Sequence, residues 1–149
     1  SMVKSNRVGA GVLFARGATA CTDVTGFGLL GHLVEMARPS EVDVELDLNA
    51  LPLLDGALDC VRNGIFSSLQ PQNVRLRRAI RNGRNGARES ELLPLIFDPQ
   101  TAGGLLASVP EAEATGCIDA LKDAGYPTAA IVGRILPQSN NLEPITLLS

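Results

Sequence analysis

The sequence predicts an α+β layered domain in which helices pack against a mixed β-sheet. Two observations carry that expectation. Glu41-Val42-Asp43-Val44-Glu45-Leu46-Asp47-Leu48 alternates acid and aliphatic without a fault, the period of a strand with one wet face and one dry face. Such a strand belongs to an antiparallel or mixed sheet. Residues 105–135 then read strand, helix, strand, the helix opened by Pro110 and Glu111 and closed by Gly125. At 149 residues the chain suits one domain.

The elements follow in chain order. Residues 3–17 read as a helix with Val8, Val12, Leu13 and Ala15 inward, weakened by Gly9 and Gly11. Residues 18–22 are small and β-tolerant, a short strand. Residues 27–37 form a helix apolar around most of its circumference through Leu29, Leu30, Leu33, Val34 and Met36, so it is buried on several sides; Pro39 ends it. After the alternating strand, residues 53–62 predict a helix with Leu54, Ala57, Leu58 and Val61 inward and Gly64 as its stop. Residues 73–81 predict another, with Val74 and Ile80 inward. Residues 82–86 read as a mobile loop. Residues 92–97 are apolar, residues 105–109 and 129–135 read as strands, and residues 142–148 as an edge strand.

Composition narrows the function. Aromatics are 3% of the chain and Trp is absent, leaving little for base stacking. A net charge of −3 gives no general pull toward phosphate polymers, so no direct nucleic-acid partner is expected. Arg75, Arg77, Arg78, Arg81, Arg84 and Arg88 nevertheless cluster; they fit ATP phosphates, tRNA or a partner protein, or a solvated surface. No run reaches the ~18 apolar residues of a membrane span. Cys21, Cys60 and Cys117 are odd in number and widely spaced, which argues against a zinc site and for free thiols in a reducing, cytoplasmic setting. Cys60 and Cys117 fall in apolar helical patterns and read as buried. Ser1 and Met2 read as a tag remnant, with the domain proper at residues 3–149.

Two loops carry the chemistry. Asp23 follows a strand and precedes a glycine-rich helix start. A carboxylate there can hold a hard cation that bridges nucleotide phosphates, with Gly26 and Gly28 letting the backbone approach; Asp23 or Thr25 can equally cap the helix. The turn Asp98-Pro99-Gln100-Thr101-Ala102-Gly103-Gly104 either touches a nucleotide or partner domain or is a tight turn needed for folding. His32, the sole histidine, fits an acid–base role or a satisfied core histidine; no acidic or thiol partner is evident beside it in sequence.

Thr22-Asp23-Val24-Thr25-Gly26-Phe27-Gly28-Leu29-Leu30-Gly31-His32-Leu33 closely resembles a motif of the selenophosphate synthetase (selenide, water dikinase) family. Phe97-Asp98-Pro99-Gln100-Thr101-Ala102-Gly103-Gly104-Leu105-Leu106 resembles a second, in which a Ser is common where Ala102 stands. Two motifs in that order, about 75 residues apart, are a specific signal, and the resemblance covers nearly the whole chain. It departs near residues 72–75, where the family often has a glycine-rich stretch and then Asn, so it assigns no substrate contact to Gln72, Asn73 or Arg75.

The resemblance implies the C-terminal domain of a two-domain enzyme of the aminoimidazole ribonucleotide synthetase superfamily, with helices on both faces of the sheet and the active site in the interdomain cleft. It implies conversion of ATP, selenide and water to selenophosphate, AMP and phosphate, with magnesium required and potassium assisting. Asp23 maps onto a magnesium ligand; Thr22, Thr25 and Gly26 are implied as nucleotide- or cofactor-binding; Asp98, Gln100, Thr101, Gly103 and Gly104 as cleft or domain contacts. The remaining magnesium carboxylates, the reactive Cys or selenocysteine and the essential Lys belong to the N-terminal domain. No catalytic residue is therefore expected in this chain, and none of its activity without that partner, through which the full enzyme forms a homodimer. Related domains of aminoimidazole ribonucleotide synthetase, thiamine monophosphate kinase or a hydrogenase-maturation dehydratase, and a non-catalytic interaction module of the same fold, are the alternatives. Phe27 between Gly26 and Gly28, and the Asp98-Pro99-Gln100 turn, favour the selenium enzyme.

Overall fold

Two small sheets, not one, organise the described residues. The computed structural model describes residues 4–82 and 90–149. Strands β1 (Ala20–Asp23) and β3 (Leu105–Ser108) form an antiparallel pair. Strand β2 (Val42–Asp47) sits at the centre of a mixed sheet between β4 (Gly133–Pro137), antiparallel to it, and β5 (Ile145–Leu148), parallel to it. The mixed α+β class holds. The strand–helix–strand run does not close into one sheet, because β3 pairs with β1 and β4 with β2.

Helix α1 (Arg7–Ala15), α2 (Gly28–Ala37) and α5 (Glu111–Asp123) complete the layers. Cross-strand alternation on β3 gives its two faces different cores. Leu106 joins the large core with Leu30, Leu33 and Val34 of α2. Leu105 and Ala107 pack instead on the smaller cluster of Leu13 from α1 with Cys117 and Leu121 from α5. The β1–β3 pair thus carries helices on both faces. Helix α2 also packs against β2, so it links the two sheets. Its burial is as its composition demands: Gly28, Leu30, Gly31, His32, Leu33, Val34 and Ala37 are all buried.

Helix α1 is shorter than expected, and Val8 is exposed. Gly9 has a packing reason: a Cβ there would lie 3.2 Å from Tyr126 Cζ. The Tyr126 hydroxyl accepts from the Gly9 amide at 2.9 Å and donates to the Ser5 carbonyl at 2.8 Å, pinning the chain's start.

The wet face expected of β2 is not wet. Asp43 is 4% exposed. One of its oxygens accepts from Arg81 Nη2 at 2.7 Å and from the Ser139 amide at 3.1 Å. Glu45 pairs with Arg134 at 2.5 Å, and Asp47 accepts from the Asn49 amide at 2.9 Å. Val44 and Leu46 fill the dry side. Asn82 finishes the open edge of β5: its side chain donates to Leu147 O at 2.7 Å and accepts from Leu147 N at 3.0 Å, which imitates a strand partner.

Several boundaries move. The helix expected at residues 53–62 shrinks to α3 (Ala57–Arg62), because Gly56 at φ 80° turns the chain just before it. None of its residues is buried, Leu54 is exposed, and so is Cys60. The helix expected at residues 73–81 is a single turn, α4 (Gln70–Asn73), followed by a 3₁₀ stretch over Val74–Ala79; Val74 faces out while Ile80 is buried and bridges to Ile145. Residues 129–132 precede β4 instead of opening it. In the apolar run at residues 92–97, Leu93–Phe97 condenses into a 3₁₀ turn that buries Leu93, Ile96 and Phe97. Most of the loop expected at residues 82–86, with Arg84 and Arg88, lies outside the described residues, as do Ser1 and Met2.

Candidate functional site

The Asp23 loop and the Asp98 loop lie side by side and are bonded into one unit. Ladder-like bonds continue past the ends of β1 and β3: the Val24 amide donates to Gly104 O at 2.9 Å, and the Gly103 amide to Val24 O at 3.1 Å. The Thr25 carbonyl accepts from the Gly28 amide at 3.0 Å and from the Gln100 amide at 3.1 Å. Asn6, just ahead of α1, donates to Gly103 O at 3.2 Å.

The four loop glycines divide into two kinds. Gly28 has φ 69°, and a Cβ on it would sit 2.9 Å from the Phe97 carbonyl carbon. A Cβ on Gly103 would overlap the Val24 carbonyl oxygen. These two let the loops meet each other. Gly26 and Gly104 are exposed, and a Cβ on either would meet nothing within 4 Å; although both carbonyls are already bonded, the missing side chains leave room for something outside the fold to approach.

Asp23 is exposed at the last position of β1, opposite Leu105. Thr22 Oγ1 donates to the Asp23 carbonyl at 3.2 Å. Thr101 is exposed. Asp98 is half-buried; one carboxylate oxygen accepts from Gln100 Nε2 at 2.7 Å. Burial pushes its pKa up, and the Gln100 bond opposes that. Asp98 also borders a cavity of about 310 Å³ walled by Ala57, Val61, Phe66 and Leu95. No described residue lining it is basic.

Sequence reasoning passed over the residue that holds both loops. Asn73 is 6% exposed, and its side-chain nitrogen donates to Gly26 O at 2.9 Å and to Phe97 O at 3.0 Å. Nothing in the polar stretch Gln70–Asn73 distinguishes it as buried. His32 also has the acidic partner that was not expected: Nδ1 lies 3.3 Å from Glu35 Oε2, one helical turn on. Its Nε2 lies 3.2 Å from Thr25 Oγ1. Of the arginine cluster, Arg81 is committed to Asp43 and Ser139.

The donor set fits one side of a magnesium site. Magnesium takes carboxylate oxygens together with phosphate oxygens and water. Asp23 offers one such carboxylate, near Gly26 and Gly104, which lack side chains that would block an approaching ligand. Among the described residues no three His, Cys, Asp or Glu side chains converge, so this chain would hold such an ion by one edge only.

A family model described as AIR synthase related protein, C-terminal domain, matches residues 2–142. The chain is 40% identical over 136 residues to a selenide, water dikinase of Geobacter metallireducens, covering 91% of this chain and 39% of that protein. It is 38% identical over 129 residues to a selenide, water dikinase of Clostridium botulinum, covering 86% and 36%. It is 41% identical over 108 residues to one of Nitratidesulfovibrio vulgaris, covering 70% and 30%. The chain therefore spans at most 39% of the length of these relatives. No helix among the described residues is long and apolar enough to cross a membrane. The chain belongs to the AIR synthase related family, as its C-terminal domain.

Proposed function

We propose that this domain forms one wall of the ATP cleft of a selenide, water dikinase, the enzyme that makes selenophosphate, AMP and phosphate from ATP, selenide and water. One observation carries the proposal: the two loops whose sequences resemble that family are bonded into a single surface, with Asp23, Gly26 and Gly104 on its outside. Relatives bearing that name support it over 91% of the chain.

In this reading Asp23 supplies one oxygen to magnesium, which, when bound, neutralises charge on the nucleotide phosphates. Thr22, Thr25 and Gly26 lie against the nucleotide side, and Asp98, Gln100, Thr101, Gly103 and Gly104 shape the adjoining wall. Phosphoryl transfer depends on positioning and charge neutralisation, and one carboxylate provides little of either. The reactive thiol or selenol, the lysine and the other carboxylates come from a partnering N-terminal domain. That domain also carries the homodimer contact, potassium assists, and the enzyme works in the cytoplasm.

The test is Asp23→Asn in a full-length dikinase that contains this domain, with selenophosphate followed by phosphorus NMR. Turnover should be lost while the melting temperature stays put. Near-native turnover would remove the metal role, and unfolding would show that Asp23 is needed for the fold by a route other than capping, since neither Asp23 nor Thr25 caps α2, which has Phe27 at its N-cap and no side-chain cap bond. The 149-residue chain incubated alone with ATP and selenide should form no selenophosphate; product there would overturn its dependence on a partner domain.

A further inference from the structure

We propose that the cavity beside α3 seats an arginine side chain carried by the partnering domain, its guanidinium held by Asp98 and Gln70. The inference rests on the reading of this chain as one domain of a longer dikinase, and adds a contact which that reading does not assign.

Two acceptors in the cavity wall are short of donors. Gln70, the first residue of α4, is 5% exposed and lines the cavity. Its Nε2 donates to Pro94 O at 2.7 Å, which fixes the way the amide points. Its Oε1 is buried and has no hydrogen-bond partner among the described residues, an arrangement that costs free energy until a donor arrives. Asp98 is the second acceptor. One of its oxygens takes the neutral Gln100 amide, and among the described residues no cation pairs with it. Burial already penalises its charged form, so a cation beside it gains more than at an open carboxylate.

The rest of the wall selects the occupant. Val61, Phe66 and Leu95 are apolar, and no described lining residue is basic. An arginine answers both features: its stem lies along apolar surface, and its planar fork of N–H groups can serve acceptors from two elements at once. An anion would be repelled by Asp98, and an uncharged apolar group would leave both acceptors unanswered. The oxygen of Gln70 is sealed from solvent, so Asp98 makes the first contact and Gln70 the second, once the wall has yielded. The source is a protein, because the exposed apolar surface exceeds what a small cation covers: Ile65 on the lining and Leu69 beside Gln70 are both exposed. The chain spans at most 39% of the length of its relatives, and the remainder of such a protein can supply the side chain.

The experiment titrates the ¹⁵N-labelled 149-residue chain with n-propylguanidinium, an arginine side chain without its backbone. Saturable shifts, with a dissociation constant on the order of millimolar, should concentrate on the Gln70 side-chain amide and the backbone amides of Val61, Leu95 and Asp98. Unsaturable shifts spread over surface carboxylates would overturn the site. Asp98→Asn, which keeps an oxygen for Gln100, should weaken binding about tenfold or more; unchanged affinity overturns the guanidinium contact. The uncharged n-propanol should bind about tenfold more weakly than the cation, and equal affinity overturns the choice of a cation; this comparison decides alone should Asp98→Asn not fold. In a full-length dikinase containing this domain the cavity is already filled, so the probe should leave the Ile65 and Leu95 methyl signals unmoved. A response there equal to that of the isolated chain overturns the partner domain as the source. Selenophosphate turnover decides the dikinase reading separately, and the affinity of the isolated chain for the probe does not depend on it.

Discussion

The side-chain nitrogen of Asn73 donates to the Gly26 carbonyl at 2.9 Å, and the same nitrogen reaches the Phe97 carbonyl at 3.0 Å. One buried amide thus ties the loop after β1 to the 3₁₀ turn that leads into the Asp98 loop. Removing it leaves the buried Phe97 carbonyl short of this partner, a loss of about 1–3 kcal/mol, while the part-buried Gly26 carbonyl can turn to water. Asn73→Ala should therefore destabilise the chain by about 1–3 kcal/mol, seen as a lower urea midpoint with an unchanged slope. Asn73→Asp, which turns both contacts acceptor-to-acceptor at neutral pH, should cost at least as much. A midpoint within error of the native chain for either variant would show that the loops hold together without it.

The glycines offer a sharper contrast. Gly103→Ala drives a Cβ into the Val24 carbonyl, and Gly28→Ala combines a left-handed backbone with a 2.9 Å approach to Phe97. Both should lose about 3 kcal/mol or more, through strain and displaced backbone. Gly26→Ala and Gly104→Ala add a methyl to open space and should range from neutral to about 1 kcal/mol more stable. Thermal melts of the four variants check the division. Because the second pair leaves folding intact, any loss of turnover they cause in a full-length dikinase reports directly on ligand approach.

What the sequence revealed and withheld follows from range. Helix α2, strand β2 and helix α5 were legible because their periodicity is local, and Gly64 and Gly125 mark stops that the backbone confirms at φ 68° and 91°. The alternation in β2 identified a strand but not its environment: Asp43 is buried because Arg81, 38 residues away, comes back to meet it. The division into two sheets was invisible for the same reason, since periodicity names a strand and never its partner. Helix α3 was overdrawn because Leu53 and Leu54 fit a helical stripe, yet Gly56 breaks the backbone behind them. At the candidate site the two loops were readable as motifs. Their mutual bonding, and the braces from Asn6 and Asn73, join residues 47 to 97 positions apart or 24 at the nearest and leave no local trace.

Two aspartates should give the stability of this chain opposite responses to acid. Bonds from Ser139 and then Arg81 hold the Asp43 carboxyl below its ordinary value. A depressed folded pKa stabilises fully above the unfolded value of about 3.9 and is lost as pH falls through the folded one. Asp98 is the reverse: burial raises its pKa above the ordinary value, so its contribution is present below about 3.9 and is lost as pH rises through the folded pKa. Urea midpoints from pH 2 to 7 test both. Asp43→Asn should lie below the native chain above pH ~4 and converge with it in stronger acid. Asp98→Asn, which keeps an oxygen for Gln100, should gain on the native chain as pH rises past ~4. Parallel curves for either variant would remove the assigned cause.

The three thiols should separate by place in the fold. Cys60 lies on α3, which buries none of its residues. Cys21 is exposed on β1, but burial of its sulfur and then the charge of Asp23 raise its pKa, so less of it is thiolate at neutral pH. Cys117 is 2% exposed between α1 and α5, with its pKa pushed up chiefly by burial. Iodoacetamide at pH 7.5, with sites read by mass spectrometry, should alkylate Cys60 first, Cys21 more slowly, and Cys117 only in denaturant. Cys117 reacting as fast as Cys60 would mean that the α1–α5 cluster opens readily. Protection of Cys60 in a full-length dikinase, where the isolated chain shows none, would place the partner domain over α3 and its exposed neighbours Leu54, Ile65 and Phe66.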